Sequence, residues 1–104
     1  MPNEIPKKIR KQVKERADGY CEWCGQKAQI LEIHHIIKRR KGIHRPETLI
    51  VLCGPVTFKG TCHYRAENKD FGHRLKLALQ QHYRLKGYSE EEVRRLMGGK
   101  IYKR

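Results

Sequence analysis

The sequence predicts a small α+β fold, with a β-hairpin in the middle of the chain and helices before and after it. Three observations support this prediction. Two short apolar segments rich in β-branched residues occupy 30–37 and 49–52, and helical periodicity lies on either side of them. Two cysteines precede the first segment and two follow the second. With 104 residues, of which 38% are hydrophobic, we expect one domain, 1–104, with a small core.

The N-terminal part predicts a basic helix over 6–17. Ile5, Ile9, Val13 and Ala17 recur at a spacing of four and would form its buried face, and Gly19 would end it. Residues 20–25 then predict a tight turn between two cysteines, in which Gly25 supplies an unusual backbone angle. The segments 30–37 and 49–52 follow as strands and are expected to pair as a hairpin.

The C-terminal part predicts three helices. The first begins near Cys62 or His63 and runs to about residue 68, and the second covers 73–86. The sequence Ser89-x-x-Glu92 is a capping box that opens a last helix through residue 97, where two glycines stop it. A motif-bearing core of about 20–68 is therefore followed by a helical extension over 73–98.

The cysteines are spaced like two metal-binding pairs, Cys21-x2-Cys24 and Cys53-x8-Cys62, the second wider than usual. Four thiolates around one tetrahedral zinc would form a closed, structural site that compensates for the small core. Free thiols, two disulfides, or a site in which His63 replaces one thiolate are the alternatives. Because the first residues contain no apolar signal segment, a reducing cytoplasmic location is expected, which favours zinc over disulfides.

The charge balance points to a polyanion as partner. There are 24 Lys and Arg against 11 Asp and Glu, a formal net charge of +13, and the excess is spread along the whole chain. Nucleic acid, with DNA as the expected partner, is the common polyanion, and a ribosomal or architectural protein that only binds it is the alternative to an enzyme. No apolar stretch is long enough to suggest a membrane. The basic residues that follow the first strand are the predicted DNA contacts: Lys38, Arg39, Arg40, Lys41 and Arg45.

Three histidines would be drawn together if the chain folds around the cysteines: His34, His35 and His63. Successive strand residues face opposite sides, so His34 and His35 can serve one site only if the strand twists or ends between them. One imidazole could act as a base for water and the others could hold a divalent ion, which are the needs of phosphodiester hydrolysis.

The order of these motifs resembles the HNH endonuclease family in its four-cysteine form, especially its small bacteriophage members. The resemblance covers about residues 20–68 and is carried by the cysteine pairs, His34-His35-Ile36-Ile37, Leu49-Ile50-x-Leu52-Cys53 and Cys62-His63. It implies a ββα-metal finger that binds one catalytic divalent ion such as Mg²⁺ or Mn²⁺. It further implies a one-metal mechanism, with His35 as the general base and His34 and His63 as ligands of that ion.

The same resemblance implies that Cys21, Cys24, Cys53 and Cys62 hold a structural zinc. It also implies a bacterial host cell as the location and phage packaging proteins as partners.

The sequence departs from the family pattern at two places. Thr48 occupies the position of the central Asn, which braces the loop behind the base. One helical turn after His63, where the family often has another His or Asn, this chain offers Glu67 or the adjacent Asn68 as a further metal ligand. The Thr48 departure keeps a second function open, that of a non-catalytic zinc-finger protein that binds DNA or RNA.

Overall fold

The computed structural model describes residues 4–38, 41–68 and 70–103. Within these ranges the chain has an α+β fold with four α-helices and a two-stranded antiparallel sheet, which confirms the predicted fold class. The elements are α1 (Lys7–Ala17), β1 (Leu31–His35), a 3₁₀ turn (Pro46–Thr48), β2 (Leu49–Cys53), α2 (Cys62–Glu67), α3 (Gly72–Leu85) and α4 (Glu90–Leu96).

The hairpin forms the middle layer of the molecule. Its strands pair with His34 opposite Ile50 and Glu32 opposite Leu52, and these four side chains share one face of the sheet. That face looks toward α2, α3 and α4, where Phe71, Leu75, Tyr83 and Val93 form the larger core with Leu52. The other face carries Leu49 and Val51, which pack with Ile5, Val13 and Ala17 from the α1 region into a second, smaller core.

Helix α1 uses the apolar face that the sequence predicts. Val13 is fully buried and Ala17 nearly so, and the helix ends through Asp18, whose φ of 51° lies in the left-handed region. Asp18, and not Gly19 alone, therefore provides the helix stop. The guanidinium of Arg16 donates two hydrogen bonds of 2.7 Å to the carboxylate of Glu22 and another to the backbone oxygen of Leu49, which fixes α1 to the cysteine turn and to β2.

The C-terminal helices follow the prediction to within one or two residues. Both bonds of the capping box are present at α4, since Ser89 Oγ accepts from the backbone N–H of Glu92 and a Glu92 carboxylate oxygen accepts from that of Ser89. The tail beyond α4 is held against α3 by Gln80, whose side chain exchanges hydrogen bonds of 2.7 and 2.8 Å with the backbone of Tyr102.

Strand β1 is shorter than predicted, because it ends at His35 although the apolar pattern continues through residue 37. Ile36 and Ile37 are buried, but they leave the ladder as the chain bends, and the backbone N–H of Ile36 donates to the carbonyl of Thr48. Burial alone explains their apolar character. In the part of the chain that the structure describes, no helix is both long and apolar enough to cross a membrane.

Candidate metal centre and active site

The four cysteines converge where the hairpin meets α2. Cys21 and Cys24 lie on the turn before β1, Cys53 ends β2 and Cys62 begins α2. Their sulfur atoms lie within 4.8 Å of one another and none forms a disulfide. This donor set could hold a metal ion, as the spacing predicts, and four sulfur ligands suit zinc.

Backbone N–H groups donate hydrogen bonds to two sulfur atoms of this cluster. The backbone N–H of Cys24 donates to the sulfur of Cys21 at 3.5 Å, and that of Cys62 to the sulfur of Cys53 at 3.3 Å. Burial alone would raise the pKa of Cys21, but hydrogen bonds from backbone N–H groups outweigh it and lower that pKa to about 7. The pKa of Cys62 is raised by burial and by the neighbouring thiols, since further negative charge is unfavourable there without a cation.

A second cluster joins β1 to α2 beside the cysteines. His34 Nδ1 lies 2.9 Å from a carboxylate oxygen of Glu67, and His63 Nε2 lies 3.4 Å from the same oxygen. The ligand atoms of His34, His63 and Glu67 all lie within 4.8 Å of one another. Both imidazoles are largely buried, with side chains 9% and 12% exposed, whereas half of Glu67 is open to solvent.

Glu32 orients His63 from the opposite side, a contact that the sequence analysis did not predict. His63 Nδ1 lies 2.8 Å from Glu32 Oε1, which also accepts the backbone N–H of Val56 at 2.8 Å. A proton on Nδ1 would leave the Nε2 lone pair directed at Glu67. A Cβ at Gly54 would lie 2.4 Å from the same Glu32 oxygen, so only glycine leaves room for this carboxylate.

His34 and His35 both line one cavity, of about 500 Å³, although they are successive residues of β1, which ends at His35. His34 and His35 line it together with Lys38, Glu67, His73 and Lys76. The ring of His35 meets the ring of His44 edge to face, with centroids 5.7 Å apart. Desolvation by burial lowers the pKa of His34 against the opposing effect of Glu67, which favours the neutral imidazole that binds metals.

Thr48 is fully buried and braces the loop that runs back from β1 to β2. Its hydroxyl accepts the backbone N–H of Arg45 at 3.2 Å and donates to the carbonyl of Arg45 at 3.0 Å. The hydroxyl therefore closes the 3₁₀ turn, while the Thr48 carbonyl holds Ile36. Thr48 therefore braces this loop through both its hydroxyl and its backbone carbonyl.

The remaining predicted residues are more dispersed. The side chain of Asn68 donates back to the carbonyl of Tyr64 at 2.7 Å. Of the two candidates one turn after His63, it is Glu67 that contacts the His63 ring. Arg45 pairs with Glu47 at 2.6 Å, and Lys41 is exposed. Arg39 and Arg40 lie outside the described residues.

The sequence analysis missed His73 and Lys76, which line the cavity from α3. Helical periodicity places them one turn apart on the same side of α3, but nothing in their spacing relates that side to His34.

Comparisons of the chain with protein-family models, with curated proteins and with solved structures find no match.

Proposed function

We propose that this protein is a divalent-metal-dependent DNA endonuclease of the HNH type, in which β1, β2 and α2 form the ββα-metal finger. One observation carries the proposal. The donor atoms of His34, His63 and Glu67 lie within 4.8 Å of one another, and two of these residues, His34 and Glu67, line a cavity together with His35 and two lysines. A metal-binding triad beside a further imidazole and phosphate-binding cations is a suitable arrangement for cutting a phosphodiester.

The donor chemistry fits a catalytic divalent ion. Two imidazole nitrogens and one carboxylate oxygen suit Mn²⁺, Zn²⁺ and Ni²⁺, and the partly exposed carboxylate leaves the triad accessible to Mg²⁺ as well. When bound, such an ion would stabilise negative charge on the phosphate. The four cysteines, by contrast, offer a closed set of sulfur ligands, and we assign them to a structural zinc.

The protein's own side chains supply the rest of the chemistry. His35 would accept a proton from the attacking water, since an imidazole has its ordinary pKa near the working pH. Lys38 and Lys76 line the same cavity and would bind the phosphate oxygens of the substrate. Thr48 keeps the loop behind His35 in place through its hydrogen bonds to Arg45.

Cleavage of supercoiled plasmid DNA tests the proposal, with Mg²⁺, Mn²⁺ and Ni²⁺ each supplied in turn. His35→Ala should lower the rate by about 10²–10⁴-fold, the usual contribution of a general base, and should leave zinc content and DNA affinity unchanged. His63→Ala should instead weaken divalent-metal binding, so that activity is partly recovered at high metal concentration. His82→Ala is the matched control, because His82 is exposed on α3 and does not line the cavity.

The second candidate function is a non-catalytic zinc-finger protein that binds DNA or RNA, and the threonine at position 48 favours it. If the purified protein binds DNA but cuts it with none of these ions, and Thr48→Asn does not produce cleavage, this second function replaces the first. Cleavage by His35→Ala at the wild-type rate would equally exclude the mechanism proposed here.

A further inference from the structure

A second groove, of about 300 Å³, continues from the cavity, and the two share Lys38 and Lys76. Its polar lining consists of four lysines and a tyrosine, and no acidic residue takes part: Lys38, Lys41, Lys76, Lys100 and Tyr102. Two of these residues, Lys100 and Tyr102, belong to the tail beyond α4. The C-terminal extension thus forms one wall of a groove whose other wall is the basic turn after β1.

The tail wall is held in place by specific contacts. Gln80, which is 3% exposed, exchanges two hydrogen bonds with the backbone of Tyr102, and the ring nitrogen Nε2 of His73 lies 2.7 Å from the carbonyl of Lys103. Gly98 allows the close approach of the two walls. Its φ is +84°, and a Cβ there would lie 3.2 Å from Ile37 and 3.4 Å from Lys41.

The lysines of this groove bring several positive charges together, and no carboxylate in the groove neutralises them. Among the described residues, none of their ammonium groups lies within ion-pair distance of a carboxylate. The Nζ atoms of Lys76 and Lys100 each lie 5.2 Å from the ring centroid of Tyr102, so both ammonium groups make a cation–π contact with the same ring. Burial lowers the pKa of Lys76, and the charges of Lys38 and Lys100 lower it further. A bound anion would relieve this repulsion.

We propose that this lysine groove is a phosphate-binding subsite that holds the nucleic-acid strand where it leaves the His34–His63–Glu67 cluster. The ligand is the phosphodiester backbone, because a row of ammonium groups with no carboxylate in the lining selects for charge and not for base. Since Lys38 and Lys76 belong to both cavities, a strand that places one phosphate beside the cluster continues directly between Lys76 and Lys100. The inference rests on the proposed function for the identity of the ligand.

The test measures binding, not cleavage, so that the two proposals can fail separately. Fluorescence anisotropy with a labelled single-stranded DNA oligonucleotide, without added divalent metal, gives the affinity at several salt concentrations. Replacing Lys76 and Lys100 by Gln should lower the affinity and reduce the slope of log K against log salt by about 0.7 for each lost phosphate contact. The matched control is Lys59→Gln with Lys86→Gln, which removes the same charge from exposed positions that line neither cavity.

A second pair of variants separates position from charge. Gln80→Leu removes the hydrogen bonds that hold Tyr102 and leaves the net charge unchanged, and it should weaken DNA binding, whereas Gln81→Leu, on the exposed side of α3, should not. Circular dichroism and zinc content establish that each variant is folded. If the Lys76/Lys100 variant and the Lys59/Lys86 control show the same affinity and the same salt slope, the subsite does not exist, whether or not the protein cuts plasmid.

Discussion

The orientation of one imidazole, that of His63, depends on a carboxylate outside the triad. Glu32 Oε1 meets His63 Nδ1 at 2.8 Å and is itself fixed by the backbone N–H of Val56. Groups that hold a metal-binding histidine from behind determine both its tautomer and the direction of its free nitrogen. The space that this carboxylate needs exists because residue 54 is glycine.

We therefore expect Glu32→Gln to weaken binding of Mn²⁺ to the histidine cluster by about 10–100-fold, because the amide lacks the charge that favours the Nδ1–H tautomer. Gly54→Ala should act in the same direction, since its Cβ would displace the Glu32 carboxylate. Isothermal titration of the zinc-loaded protein with Mn²⁺ measures the effect, with Glu91→Gln on the surface of α4 as control. An unchanged Mn²⁺ affinity in both variants would contradict the positioning role of Glu32.

At this scale the sequence predicted residues that carry a recognisable motif and missed those that do not. The spacing of the cysteines predicted a metal-binding cluster, and their sulfur atoms do converge. The roles of His34, His63 and Glu67 as metal ligands were expected from the resemblance to the HNH pattern, and the structure brings these three side chains together. Glu32 lies two positions before His34 and so on the same face of β1, yet nothing in the sequence indicates that His63 packs against that face. Lys76 joins the site only through the packing of α3, which sequence spacing does not determine.

Between elements, a partly buried hydrogen bond links the 3₁₀ turn to α3. The hydroxyl of Tyr83 donates to Glu47 Oε2 at 3.0 Å, and Arg45 pairs with the same oxygen. Burial alone would raise the pKa of Glu47, but the hydrogen bonds from Arg45 and Tyr83 and the charge of Arg45 outweigh it and lower that pKa below 4.5. Burial and the contact with Glu47 raise the pKa of Tyr83, which stays protonated and able to donate.

Because contacts in the folded protein stabilise the ionised form of Glu47, this carboxylate adds to the free energy of unfolding at pH values above its pKa in the unfolded chain. That contribution is lost as the pH falls through the lower pKa of the folded state. The difference in free energy of unfolding between wild type and Glu47→Gln should therefore be largest near neutral pH and shrink below about pH 4.5. Urea denaturation at a series of pH values measures it.

Any effect of pH on the cysteine cluster is common to both proteins and cancels in the difference. Glu91→Gln, at an exposed position of α4, serves as the control for loss of a charge alone. A wild-type-minus-Glu47→Gln difference that stays constant with pH would show that the Glu47 contacts contribute nothing as an ion pair.

The elements themselves were predictable where a local signal defines them. The capping box of α4 and the spacing of four in α1 depend on residues close in sequence, and both appear as expected. The end of β1 was not predictable, because Ile36 and Ile37 are apolar for a tertiary reason, namely burial in the larger core. The 3₁₀ geometry of residues Pro46–Thr48 was not predictable, because the hydroxyl contacts of Thr48 that close this turn cannot be deduced from composition.

For the molecule as a whole, the cysteine cluster adds a second connection between elements that the larger core also joins, since Cys21 and Cys62 are themselves part of that core. The two cores lie on opposite faces of the hairpin, and the cysteines join the turn after α1, the end of β2 and the start of α2. A metal bound by the four cysteines would stabilise such a small domain, because the free energy of binding adds directly to that of folding.

The purified protein should therefore contain about one zinc per chain, and its removal by a strong chelator should unfold the hairpin region. Elemental analysis measures the metal, and circular dichroism with and without chelator measures the folding. Cys24→Ser should reproduce the loss in part, since it removes one ligand at an exposed position. A zinc-free protein that keeps its fold would show that the cysteines are not a metal site.

The hairpin register has a consequence for the adjacent histidines. His34 and His35 are the same side chain, yet one meets Glu67 and the other meets His44. Only their alternation along β1, fixed by the pairing of His34 with Ile50, tells them apart. A slip of one residue would exchange their surroundings without altering either imidazole. Under the proposed function, the register of the hairpin therefore decides which of the two imidazoles binds the metal and which acts as the base.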